Sequence, residues 1–238
     1  DRVAALIRFY QPDLLGVQEA QKGQMDDLQA LLPEYASIGV GTNDGKERGE
    51  YVAIFYRRER LQLLDQNTFW LSKKPDKPGS KGWDAALSRS VTWGKFQDLR
   101  TGKPIYCFNT HFDHIGMVAR EQSAQLLVAR ASRIAGKAPV VVMGDFNCNE
   151  KMPSYQLLVT LNNGMLQDTR EVAILGHHGP EGSLSGFRVT GRIGPRIDHI
   201  FIDRRSLAIR HAIIPDSQNE RYPSDHLPVL ADILPEPS

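Results

Sequence analysis

Cysteine is nearly absent: Cys107 and Cys148 are the whole complement of 238 residues. Two thiols exclude a disulfide scaffold and a cysteine-ligated zinc centre. Long apolar runs are lacking as well. No stretch approaches the ~20 residues that a membrane-crossing helix requires, so no transmembrane segment is expected. There is no excess of either charge, with 29 Lys and Arg against 28 Asp and Glu and a net charge of +1. No global field therefore draws polyanions, and any grip on a nucleic acid would have to come from a local patch. Repeats, low-complexity tracts and long linkers are also missing. An initiating methionine is not there either; the chain opens on Asp1 inside a helical pattern. An upstream segment is therefore expected, and a signal or anchor carried on it would not be visible here.

What is present is ordinary for a soluble globular monomer: 41% hydrophobic and 24% charged residues. A chain of this length buries roughly 70–75% of its unfolded surface, enough for a single domain over residues 1–238. Helical spacing is read over Arg2–Phe9 (Val3, Leu6, Ile7, Phe9) and Lys22–Leu32 (Met25, Leu28, Leu31, Leu32). It is plainest over Met117–Ala135, with Met117, Ala124, Leu127, Ala131 and Ile134 expected to face inward. Pro153 suits the first turn of a helix running to Leu161. Strands are expected at Leu14–Val17, Tyr51–Tyr56, Leu61–Leu71, Val91–Asp98, Pro104–Thr110, Val140–Met143, Asp198–Ile202, Leu207–Ile214 and Leu227–Ile233. Lys73–Trp83 reads as loop and Pro235–Ser238 as a short tail. Strands outnumber helices and several run consecutively, which disfavours a simple βαβ alternation.

Five segments share one design. An apolar run stops abruptly at carboxylates, amides or imidazoles in LLGVQE (14–19), FNTHFDH (108–114), VVVMGDFN (140–147), RIDH (196–199) and SDHLPV (224–229). One acidic strand end is as readily a turn cap as a functional group. Five are harder to assign to caps, because charges beside apolar strands are costly unless paired or bound to metal. Gathered together, Glu19, Asp145, Asp198 and Asp225 would repel one another, and a divalent cation relieves that repulsion. Oxygen donors with the amide of Asn147 favour Mg²⁺ or Mn²⁺ over zinc.

PDLLGVQE (12–19), NTHFDH (109–114), GDFN (144–147), RIDHIF (196–201) and SDHLPV (224–229) resemble, in order and spacing, the endonuclease/exonuclease/phosphatase superfamily of deoxyribonuclease-I-like phosphoesterases. GEYVAIFYR (49–57), GWDAAL (82–87) and SRSVTW (88–93) are similar to a bacterial branch near the poly(A)-deadenylase and sphingomyelinase-like members. The resemblance implies an α/β fold of the α+β type, a four-layered αββα sandwich of two mixed sheets with outer helices. It implies metal-dependent hydrolysis of a phosphate ester, of phosphodiesterase or nuclease type, with Mg²⁺ or Mn²⁺. The substrate could be nucleic acid, a lipid headgroup or a sugar phosphate, and the protein would be exported from a bacterium if a signal precedes Asp1. Carried over by residue, Glu19 would be the main metal ligand, and Asp225 would ligate metal or fix an imidazole. Asp145 would orient or deprotonate the attacking water, and Asn147 would hold that water or a phosphoryl oxygen. His226 would contact the scissile phosphate, and His111 would bind phosphate or assist the leaving group. Asp198 would orient the catalytic imidazole or complete a second metal position. Family members begin with a strand ending in a metal-binding Asn, which does not precede Asp1 here; a protein without it would bind metal weakly.

Two other readings belong beside this one. The same fold could be a catalytically silent domain that binds a phosphate ligand. HFDH (111–114) is also similar to half of a metallo-β-lactamase zinc motif, but Asn109 stands where that motif has a further histidine, and the other strand ends do not fit. Arg89 and Asn109 are expected substrate-binding residues, although Arg89 could equally pair with an acidic strand end. Asp113 and His114 could cap the following helix. Phe187, Trp83, the His177–Pro180 loop and the Lys73–Lys81 stretch could contact substrate, with packing or solvation the plainer reading.

Overall fold

The computed structural model describes residues 1–235; residues 236–238, most of the expected tail, lie outside the described residues. In chain order the elements are α1 (Arg2–Tyr10), β1 (Leu14–Ala20), α2 (Lys22–Leu31), β2 (Tyr35–Ile38), β3 (Tyr51–Arg57), β4 (Leu61–Trp70), β5 (Ser90–Asp98) and β6 (Pro104–His111). They continue with α3 (Met117–Ala135), β7 (Val140–Asp145), α4 (Pro153–Gly164), β8 (Leu166–Asp168), α5 (Thr169–Val172), β9 (His177–His178), β10 (Asp198–Asp203), β11 (Leu207–Ile213) and β12 (Val229–Leu234). Among the described residues, no helix is long and apolar enough to cross a membrane.

A six-stranded mixed sheet, β4-β5-β6-β7-β10-β8, forms the centre. Only β6 and β7 run parallel in it, joined by the crossover helix α3. Side chains alternate across this sheet as the pleat requires. On β7, Val140 and Val142 join Phe108, Phe201, Leu127 and Leu158 on the face covered by α3 and α4. Val141 and Met143 point the other way, to Cys107, Ile202, Ile54 and Ala208. That second face rests on two three-stranded sheets, β1-β3-β2 and β12-β11-β9. The outer side of β1-β3-β2 is closed by α1 and α2, whose Ala4, Ile7 and Met25 surround Tyr35 and Phe55. The layers are therefore helix, sheet, sheet, helix, as expected, but hydrogen bonding divides one of the two sheet layers in two.

Two apolar faces differ from their sequence reading. Met117, expected inward, is 68% exposed; Ala119, Ala124, Leu127, Val128 and Ala131 make the buried stripe. Phe9 is likewise 78% exposed, and α1 docks through Ala4 and Ile7. The cap of α3 comes from outside the helix: Asp84 accepts from the amides of Ala119 (2.6 Å) and Val118 (3.3 Å). Asp113 accepts from Ile115 and Gly116 with one oxygen, and from Ala86 and Leu87 with the other. These bonds tie the loop before β5 to the start of α3. The His177–His178 segment, read as loop, is a short strand parallel to β11, with His177 hydrogen-bonded to His211.

Candidate active site

Strand register assembles the first part of the site. Asp145, the last residue of β7, is the cross-strand partner of both His111 on β6 and Asp198 on β10. Gly144 makes this approach possible: it has φ +143°, and a Cβ there would sit 2.0 Å from the Thr110 carbonyl oxygen. Glu19 arrives from β1 at an irregularity between Val17 and Ala20, with φ +61°. Such a bulge re-aims a side chain that regular pleating would place elsewhere. His226 comes from the loop before β12 and sets its Nδ1 2.8 Å from Asp198 Oδ2. Ser183 donates to the same oxygen at 2.6 Å, so Asp198 is anchored twice.

Two imidazoles face this cluster in different charge states. Burial opposes a charge on His226, but the hydrogen bond and charge of Asp198, helped by Asp145 and Asp225, raise it to about 9. It is therefore an imidazolium near neutral pH, donating from Nδ1 to Asp198 and leaving Nε2–H for another acceptor. His111 is the opposite case. Arg89 Nη1 lies 2.8 Å from His111 Nδ1, and a guanidinium has no lone pair to accept with. His111 Nδ1 must then be the acceptor and its one proton sits on Nε2. Burial and then the Arg89 charge hold this ring well below the ordinary histidine range. Its Nε2–H faces Asp145 Oδ2 at 3.3 Å and Glu19 Oε1 at 3.8 Å. Asp145 is pushed upward by burial and by the charge of Asp198. Asn147, with φ +47°, donates its backbone amide to Asp145 Oδ1 (2.8 Å) and its side-chain amide to Phe112 O (3.0 Å), which fixes the Asp145 carboxylate.

The structure thus brings Glu19, His111, Asp145, Asn147, Asp198 and His226 together. Asp225 stands beside His226, but its side chain is bonded by Ser224 and its carbonyl by Ser185 and Gly186. Asn109, expected to bind substrate, is fully buried: it donates to the carbonyls of Val17 and Ala53 and accepts from Gln18. Its amide ties the six-stranded sheet to β1 and β3, with no group left for a ligand. Arg89, also expected at substrate, is 5% exposed and lies beneath the site. Besides His111 it reaches His114 Nδ1 at 3.1 Å, with Glu50 at 3.5 Å and Asp113 at 3.8 Å compensating its charge. Phe187 is 59% exposed, with φ +64°, one residue past the turn that binds the Asp225 carbonyl. Ser183 and Glu50 escaped the sequence reading, since each belongs to a loop remote in sequence from the group it holds.

Ligand atoms of Asp145, Asp198 and His226 lie within 4.8 Å of one another. His226 is the least suited of these to hold a metal, because its Nδ1 is spent on Asp198 and the ring is cationic. The oxygen donors Asp145, Asp198 and Glu19 fit a hard divalent ion better. Size does not locate the site: a cleft of 460 Å³ near Ile38, Asn67 and Trp70 contains none of these residues.

The family model for the Endonuclease/Exonuclease/phosphatase family matches residues 1–226. An endonuclease/exonuclease/phosphatase structure from Bacteroides vulgatus is 41% identical, superposes with a TM-score of 0.92, and covers 99% of this chain and 89% of that one. A mannosyl-6-phosphatase from Bacteroides thetaiotaomicron is 36% identical, with a TM-score of 0.92 and coverage of 98% and 89%. The 3′-5′-exoribonuclease subunit Ccr4 of the CCR4-Not complex of Saccharomyces cerevisiae is 20% identical over 288 positions. That match takes in 94% of this chain, which spans about a third (34%) of the yeast subunit.

Proposed function

Because the chain belongs to the endonuclease/exonuclease/phosphatase family, whose members act on phosphate esters, we propose that it is a divalent-metal-dependent phosphoesterase working through the His226–Asp198 pair opposite Asp145. The observation that carries this reading is one juxtaposition. Asp145 and Asp198 are cross-strand partners, and Asp198 holds His226 by a 2.8 Å hydrogen bond.

The donor set fits a divalent cation. Burial and the neighbouring carboxylate both resist ionisation of Asp145, a penalty that a cation between the carboxylates removes. Glu19, Asp145 and Asp198 would hold Mg²⁺ or Mn²⁺, whose chemistry when bound is charge neutralisation on the phosphate and a lowered pKa for nearby water. The remaining work falls to the chain. His226 donates from Nε2 to a phosphoryl oxygen where negative charge grows, and Asp198 keeps that ring charged and oriented. Asp145 orients the attacking water and takes its proton. Asn147 fixes Asp145. His111 reaches the site as a neutral donor through Nε2, a form in which it can bind phosphate or support the leaving oxygen. Of the two kinds of ester, a monoester is favoured, since the mannosyl-6-phosphatase is 36% identical and the exoribonuclease 20%.

The test is a phosphate-ester panel run with Mg²⁺, Mn²⁺ and EDTA. Asp145→Ala and His226→Ala should each lower turnover by about 10³-fold or more, with a melting temperature near that of the parent. Near-full activity in either variant, or activity indifferent to EDTA, would overturn the assignment.

A further inference from the structure

We propose that the cleft behind Glu50 is a polyol subsite, which would make the substrate a sugar phosphate whose hydroxyls are read there while its phosphate lies at His226. The inference rests on the phosphoesterase reading above and adds a second recognition element to it.

The cleft is lined by Gln21, Thr42, Asn43, Gly49, Glu50, Leu87 and Ser88 and measures 380 Å³, at the lower end of the range for small-molecule sites. Three consecutive side-chain contacts, running through the buried Arg89, link it to the reaction centre. Glu50 is 3.5 Å from Arg89, Arg89 is 2.8 Å from His111, and His111 is 3.3 Å from Asp145. Gln21, also in the lining, follows Glu19 by two residues. No Lys or Arg is among the lining residues. Amides, two hydroxyls and a carboxylate suit a neutral ligand with many hydroxyl groups better than a second phosphate, for which the lining holds no cation. Leu87, 46% exposed, offers an apolar surface to the C–H face of a ring. A polynucleotide would carry its next phosphate toward Glu50, and nothing basic in the lining would compensate.

The wall is also rigid, as a recognition surface must be to avoid paying for order on binding. Trp70 Nε1 donates to Thr42 O at 2.7 Å, Thr42 bonds Glu50 O through both amide and hydroxyl, and Asp44 accepts from the amides of Lys46 and Arg48. Gly79 packs so closely that a Cβ would lie 2.3 Å from the Asn43 carbonyl oxygen. The loop carrying Asn43 and Glu50 is thereby locked to the loop that leads to Leu87 and Ser88.

The Mg²⁺-loaded chain and its Asn43→Ala and Leu87→Ser variants are assayed on a hexose 6-phosphate, phenyl phosphate and a short oligoribonucleotide. The metal-free chain is titrated with the free hexose while backbone amides are followed by NMR. The hexose phosphate should exceed phenyl phosphate in kcat/KM by about tenfold or more. Both variants should lower the hexose phosphate value by about tenfold through KM and leave phenyl phosphate within about twofold. The free hexose should move the amides of Asn43, Gly49 and Ser88. Preferential cleavage of the oligoribonucleotide, or equal losses on both monoesters, overturns the subsite. If no ester is hydrolysed, the phosphoesterase reading fails by itself; the titration then decides the subsite, with amide shifts at these positions upholding it and their absence overturning it.

Discussion

His226 gives the chain a pH response that can be traced to a single hydrogen-bonded pair. Its pKa rises from 6.5 to about 9, against burial, through the Asp198 hydrogen bond and charge. The folded state thus binds the proton more tightly than the unfolded state. The stabilisation is fully present below pH 6.5 and is lost as pH rises through about 9. It amounts to roughly 3 kcal/mol. Thermal melts of the EDTA-treated chain from pH 7.5 to 9.5, above the Asp145 range, should show a fall in melting temperature that His226→Gln lacks; parallel curves would contradict the charged dyad. Arg89 makes a separate prediction. Replacing it with Met removes the donor that holds His111 Nδ1 and His114 Nδ1 as acceptors, so ¹⁵N spectra should show both rings leaving the pure Nε2–H form. The parent should show His111 in that form alone across neutral pH. Residue types read this centre well where they border an apolar run: Glu19, His111, Asp145, Asp198 and His226 all arrive at it. Arg89 took the second of its two expected parts, pairing with acidic groups, while Asn109 is bonded within the core because a polar residue inside a strand gives no sign of the depth it occupies. Their partners, Glu50 and His114 for the one and Val17 and Ala53 for the other, exist only after the sheets stack.

Elements were legible in proportion to their length and apolar content. Met117–Ala135 is a helix over the range its periodicity predicts, since a long amphipathic stripe has one good burial solution. β2, β8, α5 and β9, none longer than four residues, left no period to read. Strands β6 and β7 run past their last apolar residue to His111 and Asp145, because ladder hydrogen bonds are made by backbone and continue through polar positions. That continuation places the chemistry on rigid pairing rather than on loops. It also makes Gly144 indispensable. Gly144→Ala forces a Cβ against the Thr110 carbonyl at a left-handed φ, and unfolding in urea should show a loss of about 3 kcal/mol or more. Asp84→Ala tests the borrowed cap of α3 and should cost about 1 kcal/mol.

At the scale of the molecule, the fold carries Glu19, from near its beginning, and His226, from near its end, to one end of the central sheet layer. Both belong to segments outside the six-stranded sheet, which itself supplies His111, Asp145 and Asp198. Assembling these carboxylates in part outside water is unfavourable, and the cost is visible in the raised Asp145 carboxyl. Any cation that binds the folded chain alone therefore shifts the folding equilibrium, by about 2.7 kcal/mol when free ion exceeds its Kd about a hundredfold. Mg²⁺ or Mn²⁺ should raise the melting temperature of the EDTA-treated chain in a concentration-dependent way. Asp145→Asn removes a like charge from Asp198, so it should melt no lower than the parent without ions and gain much less when they are added. The crossing of these two responses separates a metal centre from a structural acidic pair. If the parent ignores both ions while the variant is destabilised, the carboxylates serve the fold, and the metal-dependent mechanism loses its physical basis.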